Sequence, residues 1–214
     1  MAIKKSELYS SLWKSCDELR GGMDASQYKN YVLVLLFVKY VSDKYADVED
    51  ALIEIPQGGS FQDIVNLKGK KDIGEKINLI IQNLAEANDL GNIFNDADFN
   101  DPDKLGKGQE MKERLTNLVA IFENSALNFS KNRADGDDIL GDAYEYLMRN
   151  FATQSGKSKG QFYTPAEVSR VIAKVIGINS VTSPQQSIYD PTCGSGSLLL
   201  KAADETEIKI SIFE

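Results

Sequence analysis

Tyr31-Val-Leu-Val-Leu-Leu-Phe-Val-Lys-Tyr-Val41 is a strongly apolar run, and its reading decides what kind of chain this is. A helix that crosses a bilayer needs about 20 consecutive apolar residues. Here Lys39 interrupts the run and Asp43 and Lys44 end it, so the segment reads as a helix buried on most sides inside a bundle. Asp24 or Ser26 is its expected N-cap.

The flanking sequence supplies partners for such a helix. Before it, Leu8, Leu12, Cys16 and Leu19 form one stripe at three- and four-residue spacing, with Trp13 beside it, until Gly21 and Gly22 stop the helix. After it, Pro56, Gly58 and Gly59 mark a loop, and Ile73, Ile77, Ile80, Ile81 and Leu84 form a second stripe. Residues 91–108, rich in Asn, Asp and Gly, read as a long surface connection. Helical spacing returns at Met111, Leu115, Leu118, Val119 and Phe122, and again at Ile139, Leu140, Ala143, Tyr144, Leu147, Met148 and Phe151.

At Thr153-Gln-Ser-Gly-Lys-Ser-Lys-Gly160 the composition turns small, polar and basic without apolar periodicity, as in a linker. Beyond it the pattern predicts a helix over Ala166 to Ile176, a strand over Ser187 to Tyr189, a glycine-rich turn, a helix from Ser197 and a strand over Glu207 to Phe213. That order opens a parallel α/β sheet. The expected fold is therefore mainly α: an N-terminal helical bundle domain over residues 1–152, a linker over 153–160, and the start of an α/β Rossmann-like domain over 161–214.

Composition removes several function classes. At 42% hydrophobic and 26% charged residues, the chain has the balance of a soluble globular protein. With no histidine it cannot host a Ser-His or Cys-His nucleophile pair or the usual zinc site, and no metal site is expected. The two cysteines, Cys16 and Cys193, lie far apart and neither sits in a pair with metal-ligand or redox spacing, so no disulfide framework is expected. The charged, amphipathic N-terminus is no signal peptide, so a cytoplasmic location with no membrane partner is the default expectation. A net charge of -8 argues against the chain alone gripping a phosphate backbone. Lys68, Lys70 and Lys71, and then Lys157 and Lys159, are either local DNA contacts or solvated loops.

The chemistry is carried by Asp190-Pro-Thr-Cys-Gly-Ser-Gly-Ser197, which follows a predicted strand and opens a predicted helix. Its glycines let backbone approach a ligand, as in nucleotide and cofactor loops, although an ordinary β-α turn remains open. The dinucleotide pattern Gly-x-Gly-x-x-Gly is incomplete, because Leu199 stands where the third glycine belongs. Asp190 at the strand's end would repel a pyrophosphate but suits a ligand with an ammonium group, such as the methionine part of S-adenosylmethionine. A P-loop at Gly156-Lys157-Ser158 fails, since Phe151 occupies the position of its first glycine.

Gly160-Gln-Phe-Tyr-Thr-Pro165 followed by Asp190-Pro-Thr-Cys-Gly-Ser-Gly-Ser-Leu-Leu199 resembles the motif pair of amino-group DNA methyltransferases of the type I restriction-modification M-subunit family. The helical first part, with Trp13 and the Tyr31 to Val41 run, is also similar to that family's N-terminal domain. The resemblance implies S-adenosylmethionine as cofactor, with Gln161, Phe162, Tyr163, Thr164, Pro165 and Ala166 at its methionine end. It places Asp190, Thr192, Cys193, Gly194, Ser195, Gly196 and Ser197 on the main cofactor loop, Cys193 being a small loop residue rather than a nucleophile. Thr164 before Pro165 is equally a good helix start. Glu214 is the candidate for the acid that accepts the ribose hydroxyls, although the family usually separates strand and acid by a couple of residues.

The family further implies adenine in DNA as substrate, and specificity and restriction subunits as partners. Methylating a base nitrogen requires the base to be flipped out and held, which the family does with Asn or Asp followed by Pro-Pro and an aromatic residue. No two prolines are adjacent here, so no catalytic residue is expected in this segment, and by itself it should be inactive. The other reading is a non-catalytic helical module that docks on the specificity subunit or on DNA.

Overall fold

The apolar run folds as expected and organises what surrounds it. The computed structural model describes the chain apart from residues 1–3, 24, 47, 92, 132–138, 155–163, 165, 195, 207, 209–210 and 214. The run lies in α2 (Ala25–Tyr45), which buries Tyr31, Val32, Val34, Leu35, Leu36, Val38 and Val41. At roughly 1.5 to 3 kcal/mol for each large side chain removed from water, that face contributes a gross gain on the order of 10 to 20 kcal/mol before chain entropy is counted. Packed on it are α1 (Lys5–Leu19), α3 (Phe61–Val65) and α6 (Gln109–Phe122), while α4 (Ile73–Ala87) packs on α3 and α6. The stripes read from sequence are the ones buried: Leu8, Leu12, Cys16 and Leu19 from α1, Ile73, Ile77, Ile81 and Leu84 from α4, and Leu115, Leu118, Val119 and Phe122 from α6. Burial, reinforced by Asp17, pushes the Cys16 thiol up to about 12, so it behaves as a small apolar side chain.

Polar groups that enter this core are paired. The Lys39 ammonium lies 2.6 Å from an Asp43 oxygen, and the other Asp43 oxygen accepts the Phe129 N–H at 3.0 Å. One turn of α2 thereby fixes the segment at Phe129–Lys131 as well as its own cation. Buried Ser42 accepts the Phe61 N–H at 2.7 Å, which docks the start of α3 on α2. The Tyr31 hydroxyl donates to the Asp98 carbonyl at 2.9 Å. Burial, with Asp101 and Asp98 adding to it, holds that phenol far above its ordinary range, so it remains a donor.

In the first part of the chain two expectations need correction, and one element lies where none was expected. Ser26 is not the N-cap of α2, because the helix has already begun at Ala25, and Asp24 lies outside the described residues. Residues 91–108 are not a plain surface connection: Ala97, Phe99 and Leu105 are buried, and Phe99 meets the Tyr31 ring edge-on at 5.1 Å between centroids. This stretch also holds α5 (Pro102–Leu105), started by Asp101, whose carboxylate accepts the Asp103 and Lys104 N–H groups, and by Pro102 at its first turn. Finally, α3 was not expected, although Ser60 and Asp63 form a reciprocal capping box around its start.

The chain divides into two compact units, Met1–Leu147 and Met148–Glu214, the division falling within α7 (Ile139–Gln154). In the first unit, Lys5 reaches Asp142 at 2.6 Å and Tyr9 stacks on Tyr146 at 4.3 Å. Of the expected linker, Thr153 and Gln154 belong to α7 and residues 155–160 lie outside the described residues. The second unit holds α8 (Ala166–Val175), β1 (Ser187–Tyr189), α9 (Ser197–Ala203) and β2 (Ser211–Phe213). The strands pair in parallel, Ser187 with Ser211 and Tyr189 with Phe213, with α9 in the crossover. The second strand is shorter than expected: Ile208 sits in a bend, its N–H on the Thr206 hydroxyl at 3.1 Å. Helices α8 and α9 pack on each other, and Ala173, Ile178 and Ala202 form a small core joined by Val181 and Ile188. Val168, Val171 and Val175 along α8 and Ile176 just after it remain exposed. Among the described residues no helix is long and apolar enough to cross a membrane.

The close approach of residues 97–100 to α4 depends on Gly74. A Cβ there would lie 2.2 Å from the Phe99 carbonyl oxygen and 3.0 Å from its carbon, both backbone atoms. Helix propensity alone favours alanine over glycine by about 1 kcal/mol. The clash reverses that sign, and Gly74→Ala is expected to destabilise the fold by about 1 to 3 kcal/mol in urea unfolding. Unchanged or increased stability would contradict the packing of Phe99 against α4.

Candidate cofactor-binding site

The site is built where β1 stops. Asp190 follows the strand and is half-buried, and Pro191 after it confines it to extended backbone, in line with the strand. The chain then turns back through Thr192, Cys193 and Gly194 to Gly196, whose N–H donates to the Cys193 carbonyl at 2.9 Å. Gly194 and Gly196 have φ of 57° and 72°, in the left-handed region where a side chain is strained. An added Cβ would meet nothing within 4 Å at Gly196 and only the Thr192 carbonyl oxygen, at 4.0 Å, at Gly194. The glycines are thus required by the turn itself, and they leave open backbone facing outward. Ser197 opens α9, and Ser195 lies outside the described residues.

The polar geometry centres on Asp190. Its Oδ1 accepts the Thr192 N–H at 2.9 Å and the Thr192 hydroxyl at 3.2 Å. The carboxylate therefore stands at the strand's end with its orientation fixed from within the loop. Cys193 is half-buried, its Sγ 3.8 Å from the Gly194 carbonyl oxygen. Sequence reasoning gave Thr192 only a place on the loop. The signal for its bonds to Asp190 was present, because an Asp side chain commonly accepts from groups two residues on.

Of the first motif, Thr164 is exposed and stands two residues before Ala166, which opens α8. Gln161, Phe162, Tyr163 and Pro165 lie outside the described residues, as does Glu214. The helices that the two motifs lead into, α8 and α9, are packed together. Among the lysines singled out from sequence, Lys68 is engaged by Glu123, Lys70 and Lys71 are exposed, and Lys157 and Lys159 lie outside the described residues.

Comparison with known proteins agrees with this architecture. Residues 8–122, more than half of the 214, match the model of the HsdM N-terminal domain, and residues 135–212 match that of the N-6 DNA Methylase family. The chain is 28% identical to the type I restriction enzyme MpnII methylase subunit of Mycoplasma pneumoniae, over 92% of this chain and 44% of that protein. It is 31% identical to the MjaVIII methylase subunit of Methanocaldococcus jannaschii, over 93% of this chain and 36% of that protein. A crystal structure of a type I restriction-modification system methyltransferase subunit from Streptococcus thermophilus superposes with a TM-score of 0.78 at 27% identity, covering 98% of this chain and 52% of that one. The chain thus spans about a third to a half of the length of the relatives it matches. It belongs to the HsdM family, the methylase subunits of type I restriction enzymes.

Proposed function

We propose that this chain is the N-terminal part of an M subunit that methylates the exocyclic amino group of adenine in DNA with S-adenosylmethionine, working in the cytoplasm with a specificity subunit and a restriction subunit. The observation that carries the proposal is the Asp190 loop: an acid at the end of a parallel strand, a turn that only glycines make without strain, and open space over Gly196. These features fit the group. When bound, S-adenosylmethionine supplies a methyl group activated on a sulfonium centre. Asp190 holds the ammonium of its methionine end, Gly194 and Gly196 let backbone approach it, and Thr164 with Gln161, Phe162, Tyr163, Pro165 and Ala166 closes that end. Cys193, Ser195 and Ser197 complete the loop, and Glu214 binds the ribose. By itself the 214-residue chain transfers no methyl group, because no Asn/Asp-Pro-Pro-aromatic tetrapeptide is present to hold a flipped base.

In this reading the helical unit is the platform that docks on the specificity subunit or on DNA, and residues 155–160, which follow α7, link it to the methyltransferase domain. The exposed stripe of Val168, Val171, Val175 and Ile176 supports an α/β layer that continues beyond two strands.

Two measurements test the proposal. In the full-length subunit, Asp190→Asn is expected to weaken S-adenosylmethionine by about 1 to 3 kcal/mol in calorimetric titration, through loss of a charge-assisted hydrogen bond. It is expected to leave methylthioadenosine, which has no ammonium group, unaffected. Equal losses for both ligands would contradict the ammonium contact. Limited proteolysis of the 214-residue chain is expected to cut first within residues 155–160, after α7, and to leave a resistant helical fragment; first cuts within α2 or α4 would remove the linker.

A further inference from the structure

We infer that Thr192 is a positioning residue: its hydroxyl aims the Asp190 carboxylate at the cofactor's ammonium group and so sets the site's preference for ligands that carry one. The inference rests on the cofactor reading above and goes beyond it, since it assigns the selectivity to a side chain that does not touch the ligand.

The geometry supports this division of labour. Both bonds from Thr192, N–H at 2.9 Å and hydroxyl at 3.2 Å, fall on the same oxygen, Oδ1. Among the described residues Oδ2 accepts no hydrogen bond, so it is the oxygen left for a ligand. An Asp side chain otherwise turns in a broad, nearly two-fold well about its last torsion. Anchoring one oxygen twice narrows that well and fixes the direction of the other. Pro191 between the two residues contributes no N–H to compete and has its own φ locked. The β-branched Thr192 side chain has few rotamers to lose when it presents its hydroxyl. Any residue at this position except proline would supply the backbone bond; the second needs a side-chain donor, here the Thr192 hydroxyl.

The test uses the full-length methylase subunit, calorimetric titration and three ligands: S-adenosylmethionine, its decarboxylated form, which keeps an ammonium group but has no carboxylate, and methylthioadenosine, which has neither. Thr192→Val keeps the shape and removes the hydroxyl. It is expected to weaken the first two ligands alike, about 5- to 10-fold, the range of one hydrogen bond, and to leave methylthioadenosine unchanged. Thr192→Ser is expected to restore binding. On an Asp190→Asn background, Thr192→Val is expected to have no further effect, because the two residues act as one unit. An equal loss for methylthioadenosine would mean general damage to the loop and would overturn the inference. A loss confined to S-adenosylmethionine, sparing the decarboxylated form, would place the hydroxyl on the ligand's carboxylate and overturn it too, as would an undiminished effect on the Asp190→Asn background. Failure of the unsubstituted subunit to bind S-adenosylmethionine would remove the cofactor reading itself, and the role of Thr192 with it.

Discussion

The helical unit depends on α2 being covered. Tyr31, Val32, Leu35, Leu36 and Val38 are fully removed from water, and no single neighbour can bury that many faces of one helix. Helices α1, α3 and α6 therefore close around it, and their own apolar stripes are the ones that reach it or one another. The one cation in its middle, Lys39, would be costly there alone. Asp43, one turn on, neutralises it and uses its other oxygen to hold the Phe129 N–H, so a single carboxylate ties the helix to its covering segment.

The second unit works on a smaller scale and by a different constraint. Its strands are short and its core is small, but the turn between β1 and α9 is tightly specified. Two left-handed glycines shape it, Pro191 fixes its entry, and Thr192 fixes the acid at its mouth. Rigid backbone with an oriented carboxylate is what recognition of a small cationic ligand requires, because little freedom is then lost on binding. In the proposed function the helical unit supplies bulk and surface, and the loop supplies the cofactor contacts.

Much of this was legible in the sequence where periodicity was strong. The buried positions of α1, α4 and α6 follow from three- and four-residue spacing, and β1 lies where the short run Ser187-Ile-Tyr189 placed it. Residues 91–108 misled because Ala97, Phe99 and Leu105 are isolated apolar residues in a polar stretch with no period. Their burial is created by partners far away in sequence, above all Gly74 and Tyr31. The short α3 carried a readable signal, Ser60 three residues before Asp63, yet five residues give too little periodicity to find it first. At the site, the strand, turn and glycines were readable as a motif. That Asp190 accepts from a residue two places on is readable from spacing; that both Thr192 bonds fall on the same carboxylate oxygen is a matter of distances, which spacing does not encode.

The central claim is that this chain contributes the methionine end of an S-adenosylmethionine site. Ultraviolet crosslinking of the full-length subunit to cofactor tritiated on its methyl group, followed by peptide mapping, tests it most directly. Label is expected in the peptides that contain residues 161–166 and 190–197, and to be lost when unlabelled cofactor competes. Competed label found elsewhere in the subunit, with none in these two segments, would contradict the account.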